Sequence, residues 1–194
     1  MSARKEDFLA LAGAFSQLEP AREVARALSA ALYEDARPGR DDLPFRALVV
    51  AVTDDLETLA AVADVGCYVV CQRAIRPGRA AVYGLFPMCR KPDLSRAEAD
   101  GHWRDVHGPL ALEHHAAMTH YLQLAVLDVL SGTPYDGFAL CGFGSVDDLR
   151  ERFFTTAESR GVIQADVRRF ADVERSPRRL LATATDFAGA RQDP

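Results

Sequence analysis

The stretch KPDLSRAEADGHWRDVHGPLA, residues 91–111, predicts a helix that sets the order of the elements around it. Ser95 and Glu98 form an S-x-x-E capping box, so the helix is expected to begin directly after Ser95. Trp103 and His107 lie four residues apart and therefore share one helix face. Since that face is otherwise apolar, it is predicted to pack against a sheet.

Strand patterns lie on both sides of this helix. One strand, residues 80–90, precedes it, and two strands, residues 120–130 and 135–145, follow it. A second helical segment, residues 146–172 with a break near Gly161, then leads to a final strand at residues 178–187. Strand, helix, strand, strand, helix, strand (βαββαβ) is the ferredoxin-like order, in which helices cover one face of an antiparallel sheet. The second half is therefore predicted to be α+β and ferredoxin-like, with a sheet whose other face needs a cover.

The first half is expected to supply that cover. Apolar residues between Lys5 and Tyr33 recur at spacings of three and four, which predicts two helices with a break at Pro20. Residues 45–59 align without a gap on residues 138–152, so the first half is predicted to be a degenerate copy of the second. Its strands are expected at residues 45–52 and 67–75.

Three segments follow from this pattern. Residues 1–78 are predicted to form a helical N-terminal segment with a degenerate ferredoxin-like half, residues 79–187 a ferredoxin-like domain, and residues 188–194 a flexible tail. The two halves together would give an α/β-barrel-like arrangement. Alternatively, a second subunit covers the sheet, and a homodimer is the expected oligomer.

Composition and charge limit the partners of the chain. The 194 residues are 48% hydrophobic, which is enough to bury a substantial core. The net charge of −5 arises from interspersed acids and bases, so no nucleic-acid-binding surface is expected. No apolar run is long enough to span a membrane, and acidic residues interrupt the start before a signal peptide could form, so a soluble, cytoplasmic protein is predicted.

No motif indicates a metal or a nucleotide cofactor. Cys67 and Cys71 have no second ligand pair that would complete a zinc site, and the four cysteines are interpreted as reduced thiols. His114, His115 and His120 are close in sequence, but no H-x-x-x-H pair or nearby carboxylate completes a metal site. The segment CGFGS lacks the third glycine of a dinucleotide-binding loop.

Residues 80–185 resemble the EthD-like family of the dimeric α/β barrel superfamily. The resemblance rests on residues 91–111 together with HYLQ, YDG and DVRRFAD, and the matching positions are Trp103, His107, Gly108, Pro109, Tyr121, Gln123, Asp136 and Gly137. It implies a ferredoxin-like fold but not one reaction, because the superfamily includes monooxygenases, dehydratases, isomerases, haem enzymes and proteins without assigned chemistry. Ala99 and His102 stand where the family usually has aromatic residues, so the cavity is expected to be larger or more polar.

His107 is the main catalytic candidate. It is either a hydrogen-bonded core histidine or a general acid or base that faces a cavity between helix and sheet. Pro109 lacks an N–H and crowds a preceding carbonyl, so a helix kink is predicted just past His107. Tyr121, a second catalytic candidate, shares one strand face with Gln123 and opposes Leu122 and Leu124.

The remaining site predictions concern a carboxylate and the walls of the cavity. Asp136 either caps a turn or orients a histidine as a third catalytic residue. His102 is expected on the outer side of its helix, unless it takes the place of the missing aromatic residue and binds substrate. The predicted substrate-binding residues are Trp103, His102, Ala99, Gln123 and Tyr83.

These features favour a cofactor-independent acid/base enzyme, a dehydratase, isomerase or cyclase, that acts on an aromatic or polyketide-like molecule in a barrel cavity. The resemblance leaves two alternatives. One is an oxidoreductase, either cofactor-free or haem-dependent. The other is a non-catalytic protein that binds a small hydrophobic ligand.

Overall fold

The computed structural model describes residues 7–37, 39–40 and 42–187. Both halves of the chain follow the order strand, helix, strand, strand, helix, strand. The first half consists of β1 (Asp7–Phe15), α1 (Leu18–Ala27), β2 (Ala31–Asp35), β3 (Ala47–Ala51), α2 (Leu56–Ala60) and β4 (Gly66–Arg76). The second half consists of β5 (Val82–Met88), α3 (Arg96–His102), a π-helical turn (Trp103–His107), α4 (Gly108–His114), β6 (Met118–Gly132), β7 (Gly137–Phe143), α5 (Val146–Glu151), α6 (Ala157–Phe170) and β8 (Leu180–Asp186).

The eight strands form one closed antiparallel barrel in the order β1-β3-β2-β8-β5-β7-β6-β4. Two pairings join the halves, β2 with β8 and β4 with β6. The α+β class and the barrel arrangement predicted from the sequence are confirmed. The sheet of the second half is closed by the first half of the same chain, so no partner subunit is needed to complete the barrel.

Side chains of alternating strand residues fill the barrel interior. On β6, Leu122 and Leu124 point into the interior core, whereas Tyr121 belongs to a cluster under the helices. Phe138 lies at the centre of this core, with its ring centroid 6.0 Å from that of Phe45 and 5.2 Å from that of Tyr68. Both faces of the sheet are therefore buried, and this is why Leu122 and Tyr121 can both be core residues.

The predicted helices between residues 5 and 33 are wrong over most of that range. The described residues there form β1, α1 and β2, so the first half is a complete copy rather than a degenerate one. The reason is visible in β1, where Ala12 faces the barrel interior while Leu11 and Phe15 lie under the helices. A strand buried on both faces shows no alternation of polar and apolar residues, so its small apolar residues imitate helical spacing.

The predicted helix break near Gly161 is also wrong. Gly161 lies inside α6, and the interruption falls between α5 and α6 instead. Thr156 begins the second of these helices, because its side chain accepts a hydrogen bond from the backbone N–H of Ser159. The predicted tail, residues 188–194, lies outside the described residues. Among the described helices, none has both the length and the apolar character that a membrane crossing requires.

Candidate active site

A cavity of about 340 Å³ lies outside the barrel, between the sheet and the helices α4 and α6. We call it the helix-side cavity. Its lining is largely aromatic and aliphatic and includes Phe86, Trp103, His107, His115, Tyr121, Cys141, Phe153 and Phe170. This size lies within the range of small-molecule sites. The cavity is therefore a ligand-sized space with a few polar groups in an apolar wall.

A π-helical turn positions the histidine in that wall. The backbone N–H of Gly108 bonds to the carbonyl of Trp103, five residues earlier, which is the π-helical pattern. In an α-helix, His102 and His107 would point about 140 degrees apart, whereas one π-turn brings residues five apart to the same side. The sequence predicted a kink just past His107, and the π-turn ends at that residue, two positions before Pro109.

Asp166 on α6 binds both histidines. His107 Nδ1 lies 2.9 Å from Asp166 Oδ2, and His102 Nε2 lies 2.8 Å from Asp166 Oδ1. The carboxylate is buried, and the side chains of His107 and His102 are 10% and 23% exposed. The ring of Phe170 covers the group, with its centroid 5.2 Å from that of His107. One buried carboxylate thus fixes the orientation of both imidazoles.

Burial controls the protonation of His107. It lowers the pKa of His107 below its usual value, while the hydrogen bond and the charge of Asp166 act in the opposite direction. The ring is therefore neutral near pH 7. Because a carboxylate can only accept, Nδ1 carries the proton, which leaves the Nε2 lone pair available. Within the described part of the chain, Nε2 has no hydrogen-bond partner.

A second polar group lies beside this histidine in the cavity wall. Tyr121 Oη accepts hydrogen bonds from Trp103 Nε1 at 3.1 Å and from Gln123 Nε2 at 3.2 Å. Gln123 Nε2 also donates to the Trp103 carbonyl at 3.0 Å, and this contact fixes which end of the amide faces the tyrosine. Burial raises the pKa of Tyr121, so its hydroxyl stays protonated. Since the oxygen already accepts two bonds, its own hydrogen is available to a ligand in the cavity.

The predicted orienting role of Asp136 is wrong for His107, whose partner is Asp166. Asp136 accepts the backbone N–H of Arg90 at 2.9 Å and lies 3.5 Å from the guanidinium of Arg96. Asp136 therefore has the other role predicted for it: its carboxylate caps a backbone N–H near the start of a strand. The neighbouring Gly137 is required by close packing, because an added Cβ would lie 2.6 Å from the ring of Trp103.

Three other predicted residues lie elsewhere than expected. Tyr83 points into the barrel and bonds through its hydroxyl to His120 Nδ1 at 2.9 Å, so it does not line the helix-side cavity. Ala99 is buried behind Trp103, in the same cluster as Phe170. The outer position expected for His102 is wrong, because the π-turn directs this side chain to the carboxylate of Asp166. His102 therefore acts on the cavity only through Asp166.

The histidines close in sequence are separated in space. His114 bonds to Ser159 at 3.0 Å, His115 bonds to the carbonyl of Phe153, and His120 faces the barrel interior. In the part of the chain that the structure describes, no group of three or more histidines, cysteines, aspartates or glutamates has the geometry of a metal site. Burial lowers the pKa of His115, which lines the helix-side cavity.

Asp166 and His115 are the site residues that sequence reasoning missed. A signal for Asp166 was present: it follows Ile163 by three residues and precedes Phe170 by four, so it lies on the apolar face of α6. A carboxylate on such a face needs a buried partner. No comparable signal was available for His115, because its burial depends on the chain between α5 and α6.

The fold and the site define a class of protein, the single-chain α/β barrel with a ligand cavity between its sheet and its helices. Residues 91–174 match the model of the EthD domain family, so the resemblance predicted from the sequence is confirmed. No curated protein sequence matches the chain.

Two solved structures share the fold over nearly the whole length. One is an "anthrone oxidase-like protein", with 11% identity, a TM-score of 0.54 and coverage of 97% of this chain and 96% of the other. The second is a "putative monooxygenase" from Lactobacillus acidophilus NCFM, with 11% identity, a TM-score of 0.50 and coverage of 93% and 96%. At this identity the comparisons establish a common fold.

Proposed function

We propose that the protein is a small-molecule enzyme in which His107 removes a proton from carbon in an enolisable aromatic or polyketide-like ketone. The observation that carries this proposal is the position of His107 in the wall of the helix-side cavity, with Nδ1 held by the buried Asp166. A general base must reach the substrate through a free lone pair, and Nε2 supplies one. The apolar lining would hold the ring system of such a substrate.

Three residues would each have one role in the reaction. His107 Nε2 takes the proton, and Asp166 stabilises the imidazolium that forms. The free hydroxyl hydrogen of Tyr121 donates to the enolate oxygen as negative charge develops there. Return of the proton to a different atom gives isomerisation, whereas loss of a leaving group or attack on a second carbonyl gives dehydration or cyclisation.

A second candidate function is oxygenation, and the names of the two proteins of similar fold favour it. It begins with the same proton abstraction. The carbanion reduces dioxygen and forms a carbon–oxygen bond, and protonation gives a hydroperoxide. Loss of water from the hydroperoxide then gives a ketone, so dioxygen is the oxidant and neither a metal nor a flavin is required. A cavity of about 340 Å³ suits a compound of two or three fused rings, and the oxygenation described above needs no haem, so we propose chemistry without haem.

Deuterium exchange tests the shared first step. The protein is incubated with a panel of enolisable aromatic ketones, anthrone among them, in oxygen-free D₂O, and deuterium uptake is followed by mass spectrometry. We expect the wild type to accelerate exchange of at least one ketone and His107→Gln to lose about 10²- to 10⁴-fold of that acceleration. His114→Gln is the matched control, because His114 bonds to Ser159 and does not line the helix-side cavity.

The outcomes separate the three functions. Exchange followed by dioxygen uptake in air supports the oxygenase, and exchange without uptake supports isomerisation, dehydration or cyclisation. Tight binding without exchange would instead identify a binding protein. Equal exchange by the wild type and His107→Gln would overturn the role of this histidine.

A further inference from the structure

A second cavity, of about 560 Å³, adjoins the helix-side cavity, and Phe153 and Phe154 line both. Its distinguishing feature is three arginines, Arg150, Arg160 and Arg179, together with one carboxylate, Glu151. We call it the arginine cavity. Three guanidinium groups against one carboxylate give it a positive charge, although the whole chain has a net charge of −5.

Aromatic rings hold two of these guanidinium groups. The Arg179 guanidinium lies 5.5 Å from the ring centroid of Phe86 and 5.3 Å from that of Phe153. Arg160 lies 5.3 Å from the ring centroid of Phe154. Stacking on a ring fixes the guanidinium plane and leaves the N–H groups at its edge free to donate. Phe86, Phe153 and Phe154 also line the helix-side cavity, so the two guanidinium groups pack against side chains that form its wall.

Within the described residues, Arg150, Arg160 and Arg179 form no ion pair with a carboxylate. Arg150 and Arg160 are exposed and Arg179 is half-buried, whereas Arg73 is buried and makes two hydrogen bonds of 2.6 and 2.8 Å to Asp100. Burial lowers the pKa of Arg179, and the nearby positive charges of Arg37 and Arg150 act in the same direction. An anion beside Arg179 would therefore compensate a partly buried charge that has no carboxylate partner among the described residues.

We propose that the arginine cavity binds the carboxylate of the substrate while the aromatic part of the same molecule occupies the helix-side cavity. The inference rests on the proposed function in taking the helix-side cavity as the substrate site. It adds that the substrate is an aromatic acid. Arg179 is the main ligand, because a guanidinium fork can donate two parallel hydrogen bonds to one carboxylate. Arg150 and Arg160 add charge around that group.

Tryptophan fluorescence provides the test, since Trp103 is the only tryptophan and lines the helix-side cavity. The probes are 2-naphthoate and 2-naphthamide, which have nearly the same shape and differ in charge. We expect the wild type to bind naphthoate at least about 10-fold more tightly than naphthamide, with a preference that weakens in high salt. Arg179→Gln should remove the preference and leave naphthamide binding unchanged, which also verifies the fold of the variant.

Arg178→Gln is the matched control, because Arg178 is exposed and pairs with Asp42. It should keep the preference for naphthoate. Equal affinities for the two probes in the wild type, or a preference that survives Arg179→Gln, would overturn the proposed carboxylate site. These results leave the proton-transfer proposal untouched, since that proposal is tested separately by deuterium exchange in the wild type and in His107→Gln.

Discussion

Asp166→Asn perturbs the site at the atom pair that orients His107. The carboxylate accepts a bond from His107 Nδ1 at 2.9 Å and from His102 Nε2 at 2.8 Å. An asparagine has one acceptor oxygen and one donor nitrogen, so it cannot accept from both rings. One of the two histidines must change its tautomer or lose its partner. The change is nearly isosteric and removes only the charge and one acceptor.

The expected magnitude follows from the two bonds. Each hydrogen bond to a charged group contributes about 1.5–3 kcal/mol to folding, and a neutral bond contributes about 0.5–1.5 kcal/mol. Replacing both charged bonds by neutral ones should therefore reduce the free energy of unfolding by about 2–3 kcal/mol. Loss of the group that stabilises the imidazolium should lower kcat/KM for proton transfer by about 10²-fold or more.

The assay is the pH dependence of kcat/KM between pH 4.5 and 8.5. The base must be neutral, so activity falls as pH drops through the pKa of His107, and because burial lowers that pKa, the fall should lie below pH 6.5. Asp166 raises this pKa, so Asp166→Asn should move the fall to still lower pH. Asp136→Asn, the same change at a carboxylate that binds Arg90 and Arg96, should leave its position unchanged. A fall that stays in place or moves upward in Asp166→Asn would refute the pairing.

Three further predictions concern stability and the cavity wall. The free energy of unfolding should decrease from pH 7.5 to 5.5, because burial lowers the pKa of His107, of His115 and of the half-buried His120, so the unfolded chain binds protons there more readily than the folded chain. Each histidine contributes at most about 1.4 kcal/mol per pH unit, and urea midpoints that do not change would contradict this prediction. Gly137→Ala should lower the thermal midpoint and shift tryptophan emission, because its Cβ would meet Trp103. Gly101→Ala has open space around it and should stabilise α3 by up to about 1 kcal/mol. Equal thermal midpoints for the two variants would argue against close packing at Gly137. Tyr121→Phe should lower kcat for proton transfer about 10²-fold with little change in KM, and an unchanged kcat would exclude the hydroxyl from the reaction.

The second half of the fold was predictable because local signals there agree with the packing. The capping box at Ser95 marks the start of α3, and both of its hydrogen bonds are present. The spacing of Trp103 and His107 correctly placed both side chains toward the sheet, although the two residues begin and end a π-turn. β1 was not predictable in the same way, since burial on both faces removes the alternation that identifies a strand.

The candidate site was only half visible in the sequence for a related reason. Its polar pairs join distant segments: 59 positions separate His107 from Asp166, and no local rule connects them. Asp136 is nearer to His107 in sequence and was the more obvious partner for it, but its carboxylate accepts the backbone N–H of Arg90 instead. The π-turn also placed His102 on the side of its helix that His107 occupies. The prediction had assumed 100 degrees per residue throughout the helix, which would have separated the two side chains.

The protonation state of His107 is the most direct test of its role as a base, and measuring it requires no substrate. Nitrogen-15 NMR of histidine-labelled protein, assigned with His107→Gln, reports which ring nitrogen carries the proton. We expect a neutral ring at pH 7 with the proton on Nδ1 and no proton on Nε2, and a titration midpoint below 6.5 that falls further in Asp166→Asn. A proton on Nε2, or a ring already charged at pH 7, would contradict the role of His107 as the base.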